Sequence, residues 1–210
     1  MPQSLQEWAG AGPDGKATLA LVFTDIVAST DLANDIGDKR WFDVIKAHFA
    51  NARRFKDEFR GYEIKLIGDA YMVAFKTADQ AFQFAWRFYH NTGDALIKIR
   101  IGVNVGQVRI VDNDLLGIMV NYTSRVQHEL RHQYGILLSD SARTDIVNEF
   151  GAKLPGCVLQ PIKRSIKSFG EKKLWFVSRP ITKGKNFFRK AVLNDFDLLP
   201  PIPGADELKK

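Results

Sequence analysis

The stretch LVFTDIVAST (Leu21–Thr30) joins an apolar run to an aspartate and then to a Ser-Thr pair that can begin a helix. The apolar run predicts a buried strand over residues 19–26, which delivers Asp25 to the start of the next element. An unpaired carboxylate in such a place is costly in free energy. A metal ion that holds a phosphate explains it, because hard cations prefer oxygen ligands and a helix N-terminus binds phosphate.

Periodicity on either side of this stretch predicts the core of the fold. Apolar residues at three- and four-residue spacing indicate helices, and short apolar runs separated by Gly68-Asp69 indicate a hairpin. The predicted strands are residues 19–26, 62–67, 70–75 and 96–110, and the predicted helices are residues 41–59 and 78–90. The order β-α-β-β-α-β predicts an α+β fold with a ferredoxin-like core, an antiparallel sheet with helices on one face.

The sequence beyond this core predicts an α/β extension in the same domain. We expect helices over residues 117–131 and 139–150, and strands over residues 135–138, 158–162 and 173–177. The resulting division is a flexible leader (residues 1–17), one domain (residues 18–179) and an irregular tail (residues 180–210).

Composition limits the class of protein. The 210 residues are 45% hydrophobic and 26% charged, which is typical of a globular domain, and the net charge of +6 favours an anionic partner. One cysteine, Cys157, excludes an internal disulfide. No signal peptide or membrane-spanning run is recognisable, so we expect a cytoplasmic location without membrane contact.

Asp25 and Asp69 are the first candidates for chemistry. Adjacent elements of a β-α-β-β sheet can bring both carboxylates together, where they repel each other unless a cation lies between them. The plainer alternatives are that Asp25 caps the following helix and that Asp69 belongs to a type I′ turn.

Four successive motifs make the sequence resemble the class III nucleotide cyclases, from about residue 20 to residue 177. The motifs are FTDIVAST, KLIGDAYMVAF, IRIGVNVGQV and GIMVNYTSRV. The resemblance implies that the domain converts a nucleoside triphosphate to a 3′,5′-cyclic nucleotide and pyrophosphate with two divalent cations, Mg²⁺ or Mn²⁺.

The resemblance also implies roles for individual residues. Asp25 and Asp69, with the carbonyl of Ile26, are expected to bind the metal ions, and the helix start at Ser29 and Thr30 is expected to hold the triphosphate.

Asn121 and Arg125 are implied to bind the ribose and the α-phosphate in the transition state. They lie four residues apart and therefore share one face of a helix. In this family the site lies between two domains, so a chain with one copy of each set implies a homodimer with two equivalent sites.

Lys65 and Asp114 match positions that recognise the base in adenylate cyclases. Lys167 matches a lysine that binds the terminal phosphates, although Ser168 stands where the family usually has glycine. Lysine donates and carboxylate accepts hydrogen bonds, a pattern that adenine, uracil and cytosine can each satisfy. A smaller base needs apolar bulk in the pocket, for which Leu115, Leu116, Ile118 and Met119 are candidates.

With no recognisable sensor domain, the sequence resembles the stand-alone pyrimidine cyclases of the Pycsar anti-phage systems. Our preferred interpretation is cyclisation of UTP or CTP to a messenger for a separate effector, and the alternative is an adenylate cyclase domain. The basic segment 163–190 also permits nucleic-acid binding, but we expect a solvated basic face instead. RNA-recognition domains share the topology but carry sheet aromatics not found here, and a catalytically inactive cyclase would lack some of the six residues implied at the site.

Overall fold

The structure, a computed structural model, describes residues 4–150, 154 and 156–179. The helices are α1 (Leu5–Ala9), α2 (Ser29–Ile36), α3 (Asp38–Glu58), α4 (Ala78–His90), α5 (Ile118–His128) and α6 (Asp140–Phe150). The strands are β1 (Lys16–Ile26), β2 (Tyr62–Ile67), β3 (Ala70–Phe75), β4 (Ile99–Val111), β5 (Asp114–Leu116), β6 (Gly135–Ser139), β7 (Val158–Ile166) and β8 (Gly170–Ser178). The mixed α+β class and the βαββαβ core are confirmed, and the C-terminal elements extend the same sheet.

The sheet has the order β2-β3-β1-β4-β6-β8-β7, with β5 paired to the end of β4. The pairs of the βαββαβ core are antiparallel as predicted, and the parallel pair is β4 with β6 of the C-terminal extension. This parallel pair arises because α5 crosses over one face of the sheet between the two strands.

One face of the sheet is closed by three helices. Apolar residues of α3, α4 and α6 pack on alternate residues of the central strands, in a core that contains fully buried Tyr71, Phe75, Phe84 and Phe88. Tyr71 also donates a hydrogen bond of 3.0 Å to Glu63, so its hydroxyl is satisfied although the ring is buried.

The core helices α3 and α4 lie on one face as predicted, and the opposite face is covered by α5 of the C-terminal extension and by α1. Glycines in β4 make room for α5: a β-carbon at Gly102 would lie 2.6 Å from the Gln127 backbone nitrogen, and one at Gly106 would lie 2.5 Å from Met119. These glycines alternate with the buried residues Ile101 and Val103, which face the other side.

The predicted flexible leader is also corrected over its described residues. Ser4 and Glu7 form a capping box that begins α1, and Leu5 is fully buried. Lys16 already pairs with Arg109 in the sheet, so the strand begins inside the predicted leader. The predicted tail, residues 180–210, lies outside the described residues, as do residues 1–3.

Candidate active site

Asp25 lies near the end of the central strand β1, directly opposite Arg100 of β4. The two side chains form an ion pair in which both are largely buried, with 17% of Asp25 and 18% of Arg100 exposed. The Arg100 guanidinium also donates to the carbonyl of Arg131, beyond the end of α5. The register of β1 and β4 thus gives Asp25 a cationic partner.

Asp69 lies at the same edge of the sheet as Asp25. In the β1–β3 ladder Thr24 pairs with Tyr71. Asp25 follows Thr24 on β1, and Asp69 lies two residues before Tyr71, in the turn between β2 and β3. We call Asp25, Asp69 and Arg100 the carboxylate edge. A type I′ turn requires a positive φ at both central residues. Gly68 has φ +63°, but Asp69 does not have a positive φ, so this turn type does not explain Asp69.

The Oδ2 atom of Asp69 is buried and has no hydrogen-bond partner within the described part of the chain. A carboxylate oxygen in this position normally has a donor or a cation, because burial without one is costly. The nearby His48 does not supply a charge. Burial lowers the pKa of His48 to about 4, although the Thr92 carbonyl and the charge of Asp69 act in the opposite direction.

Ser29 and Thr30 form the first turn of α2, immediately after β1. Ala28 precedes them with φ +53°, and the first helical hydrogen bond runs from Leu32 to the Ala28 carbonyl at 2.9 Å. The N–H groups of the first turn therefore donate no hydrogen bond within the helix and point out of its N-terminal end. This helix start lies three residues beyond Ile26, the last residue of β1.

Lys65 and Asp114 form an ion pair between β2 and β5, and we call them the outer pair. Each side chain is about one third exposed, 38% and 36% respectively. Asp114 also accepts a hydrogen bond of 2.8 Å from the N–H of Leu115. The two residues predicted to recognise the base thus contact each other within one chain.

Asn121 and Arg125 both lie on the exposed side of α5. The buried side of this helix, which includes Thr123, Val126 and Gln127, faces the sheet. Since Met119 packs at Gly106 and Gln127 at Gly102, α5 runs antiparallel to β4 and its C-terminal end approaches Arg100. Asn121 and Arg125 are thus presented to the exterior on α5, whereas Asp25 is largely buried beside Arg100.

Lys167 is exposed in the turn between β7 and β8. Ser168 has φ +68°, a left-handed conformation that glycine adopts without strain. The turn is held beside α5 because the rings of Phe169 and Tyr122 lie 4.9 Å apart.

The four residues suggested to narrow the pocket fall into two groups. Leu115 is buried in the core and does not reach the surface, whereas Met119 is half-buried and packs on Gly106. Leu116 and Ile118 are exposed, at 50% and 65%. Of the four, Leu115 is thus excluded by burial, and Leu116 and Ile118 are the most accessible.

The sequence model of the adenylate and guanylate cyclase catalytic domain matches residues 13–145. The chain belongs to this family. The match covers α2 to α5 and the start of α6, including the carboxylate edge, the outer pair and the exposed side of α5.

Comparisons with individual cyclases agree with this assignment. A receptor-type adenylate cyclase of Leishmania donovani is 36% identical over 75 residues, which are 36% of this chain and 6% of that protein. The chain thus spans a small part of the curated relatives that it matches.

Solved cyclase domains share the fold. The guanylate cyclase domain of RhGC from Catenaria anguillulae, solved in complex with GTP, has a TM-score of 0.63 and 24% identity over 77% of this chain and 96% of its own. An adenylate cyclase from Trypanosoma brucei in its monomeric state has a TM-score of 0.66 and 17% identity over 84% and 93%.

Sequence reasoning missed Arg100, although the motif IRIGVNVGQV contains it. The only sequence signal is its position in β4, because its partner depends on the register of β4 against β1. The helices that the described residues form are all too short or too polar to cross a membrane.

Proposed function

We propose that this cyclase domain converts a nucleoside triphosphate to a 3′,5′-cyclic nucleotide and pyrophosphate. The ribose 3′-oxygen attacks the α-phosphorus, the bond to the pyrophosphate oxygen breaks, and the proton of the 3′-hydroxyl leaves to solvent. The observation that carries the proposal is the carboxylate edge. There Asp69 lies close to Asp25 in the strand register, and its buried Oδ2 has no hydrogen-bond partner among the described residues.

The carboxylate edge suits divalent cations. Class III cyclases use such ions, and Mg²⁺ is commonly bound by one or two carboxylates together with substrate phosphates. The described residues contain no group of three His, Cys, Asp or Glu side chains that could hold a metal alone, which is consistent with ligands shared with the substrate. Asp25, Asp69 and the Ile26 carbonyl would hold the ions, which when bound lower the pKa of the 3′-hydroxyl and neutralise the pyrophosphate.

The cationic groups of the chain would stabilise the charge on the triphosphate. Arg100 lies beside Asp25, and the N–H groups at Ser29 and Thr30 begin α2 at the same edge of the sheet. Arg125 would donate to the equatorial oxygens of the α-phosphate as charge develops there, Asn121 would orient the ribose, and Lys167 would contact the terminal phosphates.

We further propose that two copies of the chain share each active site. Asn121 and Arg125 project from the exposed side of α5, whereas Asp25 is largely buried against Arg100 at the sheet, beyond the C-terminal end of that helix. A homodimer with twofold symmetry would let the exposed set of one copy meet the carboxylate edge of the other across the interface. The exposed Leu116 and Ile118 next to Asn121 would be covered by the second copy.

The base is proposed to be a pyrimidine, uracil or cytosine. Lys65 and Asp114 supply one donor and one acceptor at a single point, which a pyrimidine can match with its O4 or N3 and its N3–H or 4-amino group. Leu116 is two residues from Asp114 on β5 and therefore lies on the same side of that strand, where its bulk would offset the missing ring of a purine. In this proposal the product is cyclic UMP or cyclic CMP and activates a separate effector, as in Pycsar anti-phage defence.

Adenine is the second candidate. The identity to the Leishmania donovani receptor-type adenylate cyclases favours it, and the outer pair can bind adenine through N1 and the 6-amino group.

The decisive assay incubates the purified chain with labelled ATP, GTP, CTP or UTP and Mn²⁺, and identifies each cyclic product by chromatography and mass. We expect cyclic UMP or cyclic CMP to dominate. Cyclic AMP as the main product would overturn the pyrimidine assignment, and the absence of any cyclic nucleotide with all four substrates would overturn the cyclase activity itself.

A further inference from the structure

The N-terminal helix α1 touches the hairpin that carries Asp114. The N–H of Leu5 donates a hydrogen bond of 3.2 Å to Oδ1 of Asn113, the residue directly before Asp114. Leu5 is fully buried, so this hydrogen bond lies at a packed contact and not at a loose end of the chain. The ends of α1 are set by its capping box and by Gly10, which has φ +63°, and the buried Leu5 packs the helix on the sheet.

Asn113 does not need its side chain to form the turn that it occupies. Asp112 and Asn113 have φ +48° and +62° between the paired residues Val111 and Asp114, as expected for a two-residue type I′ turn. Glycine serves that turn equally well. The amide of Asn113 is therefore available to link the hairpin to α1.

A second contact lies on the other side of Asp114. Leu115 is buried in the same core cluster as Leu5, together with Met72 and Ala74 of β3. Asp114 thus stands between two residues, Asn113 and Leu115, that both connect to the cluster under α1.

Helix α1 also supports the strand that carries Lys65. The rings of Trp8 and Tyr62 lie 5.3 Å apart, and Tyr62 is in β2 three residues before Lys65. Strand β2 is an edge strand with an irregular register between Glu63 and Lys65, so packing from outside the sheet matters for its position.

We propose that α1 is a positioning element for the outer pair, acting through Asn113 on Asp114 and through Trp8 and Tyr62 on Lys65. The inference rests on the proposed function, in which the outer pair recognises the base. The ion pair itself is one third exposed, and ion pairs of that kind contribute little to holding two strands in register. The positions of the Lys65 and Asp114 side chains that contact the base would therefore depend on α1.

The test replaces Asn113 with glycine, which removes the acceptor oxygen and keeps the turn, and with aspartate, which keeps an acceptor. For Asn113→Gly we expect KM for the preferred triphosphate to rise roughly 3- to 10-fold, as loss of one hydrogen bond predicts, and the preference among the four triphosphates to narrow. The kcat should stay within about twofold, since no group that meets the reacting atoms has changed. Asn113→Asp should restore the wild-type KM, which a merely structural role of the turn would not predict.

Trp8→Ala gives an independent second test from the β2 side, and we expect the same rise in KM with little change in kcat. Lys65→Ala and Asp114→Ala are assayed in parallel. If these two alter base preference while Asn113→Gly and Trp8→Ala keep the wild-type KM and preference, the role of α1 is wrong and the proposed function stands. If Lys65→Ala and Asp114→Ala leave base preference unchanged, the base-reading role fails and the inference about α1 fails with it.

Discussion

The carboxylate edge and the outer pair are built in different ways. Asp25 and Arg100 stand on strands β1 and β4, which have neighbours on both sides, and their side chains are less than one fifth exposed. Lys65 and Asp114 stand on the edge strand β2 and the three-residue strand β5, and are twice as exposed. Asp25 and Arg100 thus belong to the centre of the sheet, whereas Lys65 and Asp114 belong to its periphery; Asp69 lies between them, in the turn that joins β2 to β3.

This contrast has a physical reason. A central strand is fixed by hydrogen bonds and packing on both sides, so a carboxylate placed there keeps its geometry whatever the substrate. A peripheral hairpin has fewer contacts and can change without disturbing the core. We therefore expect substitutions at the two places to have different kinetic effects.

The largest effect is expected at the carboxylate edge. Asp25→Asn and Asp69→Asn should each reduce kcat roughly 1000-fold with all four triphosphates, because several kcal/mol of charge stabilisation would be lost. Asp57→Asn, at an exposed aspartate of α3, is the matched control and should behave like wild type. Cyclic products are quantified with each triphosphate, and a change in base preference in the Asp25 or Asp69 variant would break the proposed division of roles.

A smaller effect is expected at the outer pair. Lys65→Ala and Asp114→Ala should reduce kcat/KM for the preferred triphosphate by up to about 100-fold and have less effect on the others. Each variant leaves a polar group of the preferred base without its hydrogen-bond partner, and such a loss discriminates most strongly between bases. The measurement is competition between equimolar triphosphates. Equal losses with all four would show that the pair acts on stability or chemistry instead of base choice.

The smallest effect concerns stability. Arg100→Gln leaves Asp25 without its described partner, so the melting temperature of the metal-free protein should fall by about 2–6 °C. Added Mn²⁺ should raise the melting temperature of this variant more than that of wild type, because the cation replaces the lost positive charge. Arg54→Gln on α3 is the control. If Mn²⁺ raises the melting temperature of Arg100→Gln and of wild type equally, a metal site at Asp25 is contradicted.

Much of the fold was predictable from local pattern. The observed bounds of β2, β3 and α4 equal the predicted ranges, because apolar spacing, Gly68-Asp69 and the Thr77 cap mark them clearly. Helix α1 was missed although Ser4 and Glu7 have capping-box spacing, because the glycines and proline that follow suggested a loose segment.

Other features depend on tertiary structure and were beyond local pattern. The face on which α5 packs follows from the close approach of Gly102 and Gly106, and a sequence shows the glycines without showing the helix above them. The Asp25–Arg100 pair follows from strand register, which no spacing in the chain reveals. The roles of the site residues remain predictions, and the structure adds the positions from which they can be tested.

The most direct test of the central claim is a mixing experiment between two inactive variants, Asp25→Ala and Arg125→Ala. A mixed dimer contains one site with both original residues and one site with neither, so cyclase activity should return to about half that of wild type per mixed dimer. Mixed dimers are isolated with two different affinity tags, and each variant alone serves as the control. Isolated mixed dimers that form no cyclic nucleotide would contradict an active site assembled from two copies of this chain.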